Sequence, residues 1–238
     1  MRFIYQYLLL LSFAGSLTAQ TDDKKEIKVN CRLLSLERGS KPLAMVTPAA
    51  DRTAIACSAP STSLSDDIQC YARDGSISFL AASDRQPLAS VKIPTDVRSV
   101  ILVFVPGSKN DDAQTWKIFP IEDSKDNFPD GGAFVANFHH SDIRFIVGEN
   151  KLQLRAAGSR GVAMPSKRDD FNMAPVAFQF SHEGKWRIAS ETMLRFLPGM
   201  RYLMFAYSEA VSGKPRITMI EDFRESHPVV IDPEKTNR

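Results

Sequence analysis

The chain is poor in the residues that usually carry chemistry: its 238 residues include 3 Cys, 4 His and 2 Trp. It contains no Gly-x-Ser-x-Gly elbow, which excludes the strained nucleophile turn of α/β-hydrolases. Gly-rich phosphate loops are absent as well, so nucleotide chemistry has no starting motif. Neither charge sign dominates: 30 Lys+Arg stand against 28 Asp+Glu, a net charge of +2. With no long run of like charge and no basic stretch interleaved with aromatics, a nucleic-acid-binding arm or groove is excluded. Beyond the first 19 residues no apolar run approaches the roughly 20 residues that a membrane-spanning helix requires. What the chain does have is core: 43% hydrophobic and 24% charged residues describe a globular protein, not a disordered or fibrous one.

Residues 1–19 are laid out as a secretory signal peptide. Arg2 supplies the charged start, Tyr7 to Ala14 an apolar stretch centred on Leu8 to Leu11, and Ser16 to Ala19 the small residues before cleavage after Ala19. The reading is export to the periplasm or the medium, with no membrane insertion after cleavage. An oxidising compartment makes the cysteine count relevant, because three thiols leave at least one unpaired. Cys31, Cys57 and Cys70 each share a strand face with apolar residues, so all three point inward. Three core thiols and one bridge plus a free thiol are both open at this point.

Period-2 alternation dominates the rest, bounded by Gly, Pro, Asp and Asn, and no window keeps a helical i, i+3, i+4, i+7 stripe. Strands are expected at 27–36, 42–47, 53–58, 68–73, 76–81, 88–93, 99–105 and 116–121. A second series follows at 133–137, 143–147, 151–155, 176–181, 185–190, 193–197, 201–207 and 216–221. The six apolar residues Val100 to Val105 predict a strand covered on both faces. Asp74-Gly75 and Glu183-Gly184 read as hairpin turns.

The two series match each other. Ile121-Glu122-Asp123 aligns with Ile220-Glu221-Asp222, Pro129 with Pro228, Leu102-Val103-Phe104 with Leu203-Met204-Phe205, Ile93-Pro94 with Leu197-Pro198, and Asp74-Gly75 with Glu183-Gly184, always in the same order. The expected fold is therefore all-β, with two tandem β-sandwich domains of Ig-like or jelly-roll-like kind arising by internal duplication. The expected boundaries are 26–129 and 132–228, joined at Phe128 to Gly132 and followed by a polar tail at 229–238.

The run PIEDSKDNFPDGGAFVANF at 120–138, followed by a strand, the Gly148-Glu149-Asn150 turn and another strand, resembles a pattern in uncharacterised exported bacterial all-β proteins. The resemblance spans about residues 100–225. It implies the fold and carries no activity with it.

No catalytic residue, cofactor-binding residue or metal-ligand set stands out. Ser159, in Gly158-Ser159-Arg160-Gly161, reads as a β-turn. His139-His140 near Asp142 is the one histidine cluster, but neighbours on a strand point to opposite faces, so it reads as a solvated loop tip unless the chain turns there. His182 and His227 read as isolated and exposed. Asp123, Asp126 and Asp130 offer oxygens for calcium, yet Lys125 lies among them and the spacing is not that of an EF-hand. Trp116 and Trp186 sit in strand patterns where aromatics pack cores. The expected role is a non-enzymatic binding or scaffolding protein of the envelope or extracellular space, without cofactor, its partner a protein or a glycan. The loops Ser58 to Asp67, Pro106 to Thr115 and Pro165 to Pro175 are the expected contacts. Carbohydrate binding is the alternative and predicts an exposed aromatic platform at Trp116 or Trp186. A hydrolase is the second alternative and predicts a Ser and a His, or two carboxylates, within reach of each other.

Overall fold

The computed structural model describes residues 26–37, 41–107, 116–209 and 213–223. The expected signal peptide, His227 and the expected tail lie outside them. The described residues are all-β. The first eight strands are β1 (Ile27–Ser35), β2 (Leu43–Pro48), β3 (Ala54–Ala59), β4 (Ile68–Ala72), β5 (Ser76–Ala81), β6 (Pro87–Lys92), β7 (Ser99–Pro106) and β8 (Trp116–Glu122). The next eight are β9 (Ala133–Phe138), β10 (Ile143–Val147), β11 (Asn150–Leu154), β12 (Ser159–Val162), β13 (Met173–His182), β14 (Lys185–Arg195), β15 (Met200–Ser208) and β16 (Pro215–Phe223).

They form four four-stranded sheets in the orders β4-β1-β7-β8, β3-β2-β5-β6, β12-β9-β15-β16 and β11-β10-β13-β14. Adding eight to every strand number of the first two sheets reproduces the last two. The copy extends to strand direction: β1 runs parallel to β7 and β9 parallel to β15, while the remaining pairs are antiparallel. An irregularity is copied too. The β5–β6 register shifts between Phe79 and Leu80, and the β13–β14 register between Phe178 and Gln179. Phe79 and Phe178, each next to its bulge, are buried edge-to-face partners of Phe104 and Phe145.

Register corrects two of the sequence matches. Ile101 pairs with Ile121 and Leu203 with Ile220, so Leu203 corresponds to Ile101 and not to Leu102. A one-residue slip reverses every side chain, and Leu102 indeed lies in the core of the first sandwich while Leu203 faces away from that of the second. Asp74-Gly75 joins β4 to β5 whereas Glu183-Gly184 joins β13 to β14, so the two turns are not counterparts. Two strand expectations also change. The segments 185–190 and 193–197 belong largely to one strand, β14, bent by the bulge. Ser159, read as a turn, begins β12, which pairs with β9.

Each half packs its two sheets around its own core. Cys31, Cys70, Ile77, Phe79, Leu102, Phe104 and Trp116 lie in the first, and Val135, Phe145, Phe178, Phe196, Tyr202 and Met204 in the second. A third core joins the halves. Leu34, Ile101, Val103 and Ile121 from the β1–β7–β8 face meet Phe134, Ala136, Leu203, Phe205 and Ile220 from the β9–β15–β16 face. The sheets therefore stack in four layers, and β7 and β15 are buried on both faces, as the apolar run Val100 to Val105 predicts.

A buried ion cluster borders this third core. Arg32 on β1 holds Asp222 of β16 through Nη1 and Nη2 at 2.6 and 3.1 Å, and Asp123 through Nη2 at 2.8 Å. Arg201 on β15 holds Asp123 at 3.0 Å and contacts Asp222 through Nε at 3.1 Å and through Nη2. Arg201 also donates to the Phe128 carbonyl at 3.1 Å and lies 3.8 Å over the Phe128 ring. Two cations and two carboxylates thus neutralise each other across the joint between the repeats.

The joint is also held by close backbone approach. A Cβ on Gly161 of β12 would sit 2.2 Å from the Asn127 carbonyl oxygen, so only glycine lets β12 lie against the 127–132 segment. Gly161→Ala is expected to cost about 1–3 kcal/mol, as overpacked sites do. Urea denaturation measures it, and a loss below about 0.5 kcal/mol would show that the joint yields freely.

Candidate functional site

The outer faces of the two solvent-side sheets differ although their strands repeat. The β3-β2-β5-β6 sheet presents small residues, among them Ala44, Ala56, Ser58, Ser78 and Ser90. The β11-β10-β13-β14 sheet presents long ones. Gln153 pairs with Arg144, Arg144 with Gln179 and Gln179 with Ile188, making one row across all four strands. Trp186 stands opposite Ser181 in the next outward row of β13–β14.

The bulge decides which way Trp186 points. Met193 and Glu191 face outward opposite Pro175 and Ala177. Past the shift at Phe178/Gln179, with Ala189 left over, Ile188 and Trp186 face outward too. Four residues at mixed spacing share one face because the extra residue changes the parity. The sequence reading, in which aromatics in strand patterns pack cores, puts Trp186 inside. Instead it lies partly buried on the outer face, where Ile188 and Met193 are 58% and 46% exposed. Trp116, by contrast, is buried against Phe104 as expected, which removes it as a ligand platform.

The Arg144 guanidinium lies 3.9 Å over the Trp186 ring. Its Nε also meets Gln153 Oε1 at 3.3 Å, and Gln153 Nε2 donates to Asp142 at 2.9 Å. Each member of this chain holds the next in place. Beside it lies a shallow open depression of about 420 Å³ lined by Arg144, Ile146, Lys151, Gln153 and Gln179 among others. No protein-family model matches the chain, and neither does any curated protein.

The other expected sites resolve differently. Both Asp123 oxygens are committed to arginines, and Asp130 accepts from the Gly199 backbone N–H at 2.9 Å, so the acidic loop does not converge on a calcium position. Among the described residues no three His, Cys, Asp or Glu side chains gather into a metal site. The three cysteines are free thiols facing the first core. The Cys70 hydrogen bond and burial raise the Cys31 thiol, and burial pushes Cys57 up to about 12, so neither is a nucleophile at neutral pH. His182 is exposed, 3.8 Å from Glu183. Of the expected contact loops, Ser58 to Asp67 is tied to β1 through Pro60 and Ser65, and residues 108–115 lie outside the described residues. Pro165 to Pro175 carries Phe171, 72% exposed, at the tip of a turn capped by Asp169.

His139-His140 is not the solvated tip that its sequence suggests. Asn137, fully buried at the end of β9, donates to the Ser141 and Leu154 carbonyls and accepts from the His139 N–H at 2.9 Å. The bend it enforces brings both rings to one side, their centroids 4.0 Å apart. His139 is only 5% exposed, and burial followed by the neighbouring His140 lowers its pKa. Both rings meet Ser208 at the end of β15, which the parallel β9–β15 register delivers: His139 Nδ1 lies 2.8 Å and His140 Nδ1 3.4 Å from Ser208 Oγ. Nothing near Ser208 in the sequence signals this meeting, because it depends on the pairing of two strands distant in the chain.

Proposed function

We propose that the protein is an exported, non-enzymatic binding protein that holds a carbohydrate chain on the outer face of the β11-β10-β13-β14 sheet. Export rests on the signal-peptide layout of residues 1–19. The observation that favours a glycan over a protein partner is Trp186, carried outward by the bulge with Arg144 over one face of its ring, so that a sugar would stack on the other face, near Gln153 and Gln179. A sugar ring offers an apolar C–H face and a rim of hydroxyls. An aromatic ring meets the first, and planar amides, guanidinium and carboxylate meet the second in pairs. Prior fixing of Arg144 by Gln153, and of Gln153 by Asp142, lowers the ordering cost of binding.

The test is affinity electrophoresis of the mature protein against a panel of soluble polysaccharides, followed by calorimetry on those that retard it. Trp186→Ala is expected to weaken binding by about 2 kcal/mol, the scale of an aromatic hot spot, or roughly thirtyfold. Its circular dichroism should stay unchanged, because the ring lies on the outer face and belongs to none of the three cores. Retardation by no polysaccharide, or equal retardation of wild type and Trp186→Ala, would sink the proposal.

A further inference from the structure

We infer that His139 and His140 form a binding site for a divalent transition-metal ion of the imidazole-preferring kind, Cu²⁺ or Zn²⁺, separate from the sheet face. Three donor atoms, two imidazole Nδ1 and Ser208 Oγ, already lie together, with two of their mutual separations at 2.8 and 3.4 Å. Four ligands at about 2.0–2.1 Å from a tetrahedral ion stand about 3.3 Å from one another, so the 3.4 Å spacing matches one edge of a coordination tetrahedron and the 2.8 Å hydrogen bond opens by about 0.5 Å to make a second. The ion becomes the common partner of the two Nδ1 atoms, each neutral imidazole carrying its proton on Nε2, and Ser208 coordinates through its protonated Oγ. Water completes the shell on the side of exposed His140, which is also the way in.

Preorganisation comes from Asn137. Its three hydrogen bonds fix the bend that turns both rings to one side, where an ordinary strand would separate them. Imidazole ligation without thiolate suits copper and zinc, and the same ligands bind Cu²⁺ more tightly than Zn²⁺. The alternative chemistry, acyl transfer from Ser208, fits less well. The 2.8 Å contact of His139 with Ser208 is the Ser and His within reach that a hydrolase predicts, but a second imidazole also meets Oγ at 3.4 Å, where a nucleophile needs one base and room for its substrate.

The test is isothermal titration of the chelator-treated mature protein with CuCl₂ and with ZnCl₂, together with electron paramagnetic resonance of the Cu²⁺ form. The expectation is one equivalent per chain, tighter for Cu²⁺, with a two-nitrogen hyperfine pattern. His140→Ala, an exposed position, is expected to weaken binding at least tenfold without disturbing the fold. His182→Ala, the exposed histidine at the end of β13, should leave it unchanged. No saturable binding by folded wild type, or binding unaffected by His140→Ala or lost in His182→Ala, would overturn the inference.

Discussion

Asp222→Asn lowers the stability of the whole chain by about 3–5 kcal/mol at neutral pH, the expected cost of removing one partner from a buried charge network. The variant is isosteric, so the loss is electrostatic. Arg32 and Arg201 are left to share Asp123 alone at a site where the Arg201 and Asp222 side chains are 5% and 3% exposed. The pH dependence gives a second reading. Burial alone would raise the Asp222 pKa, but hydrogen bonds and charge from Arg32, and the Arg201 guanidinium, outweigh it and hold the carboxyl below its ordinary value. A carboxyl depressed in the folded state binds more protons when unfolded. Its stabilisation is therefore fully present above the unfolded pKa near 3.8 and is lost as pH falls through the lower folded value. Urea denaturation at pH 7 and pH 3 should show a large gap between wild type and variant at the first and a smaller one at the second. A gap under 1 kcal/mol at pH 7 would contradict this account of the cluster. Replacing all four charged residues by apolar ones of similar size should restore much of the loss, because well-packed apolar groups often match a buried ion network.

Phe205→Ala costs a similar amount, about 3–5 kcal/mol, through a cavity and not a charge. Phe205 is fully buried in the third core and stacks on Phe138 with centroids 5.6 Å apart. Its strand carries the second sandwich core on its opposite face through Tyr202, Met204 and Ala206, which limits how far the backbone can move to fill the void. For a chain of this size each kcal/mol moves the melting temperature by about 2–4 °C, so calorimetry should register a fall of about 10 °C. A fall under 3 °C would mean that the two inner sheets contribute little to each other's stability.

The parts of this structure that were readable in sequence are those set by local pattern. Val100 to Val105 announced a strand covered on both faces, and the Ile-Glu-Asp match marked the same position in both repeats, where Asp123 and Asp222 now meet the same arginines. What stayed hidden depends on pairing. Gly158-Ser159-Arg160-Gly161 has the composition of a turn, yet it forms β12 because Gly161 allows contact with the joint. The parallel pairs β1–β7 and β9–β15 join strands distant in the chain and leave no local trace. The rule that aromatics in strands pack cores fails at Trp186 because a bulge leaves no mark in composition: one unpaired residue, Ala189, changes which face the aromatic meets. Ser208 reaches the two histidines only through the β9–β15 register.

The third core has a consequence for how such a chain can exist. Each repeat carries an apolar outer patch that its sister covers, and Asp123 and Asp222, equivalent positions, arrive at the same cluster from opposite sides. The chain is in effect an obligate dimer strung on one backbone, with nearly isologous contact surfaces. The short Phe128 to Gly132 joint makes their meeting unimolecular, so a pairing that two separate chains would reach only at sufficient concentration is here independent of dilution. A half released at that joint would carry Leu34, Ile101 and Val103, or Phe134, Leu203 and Phe205, to the surface and would seek another copy.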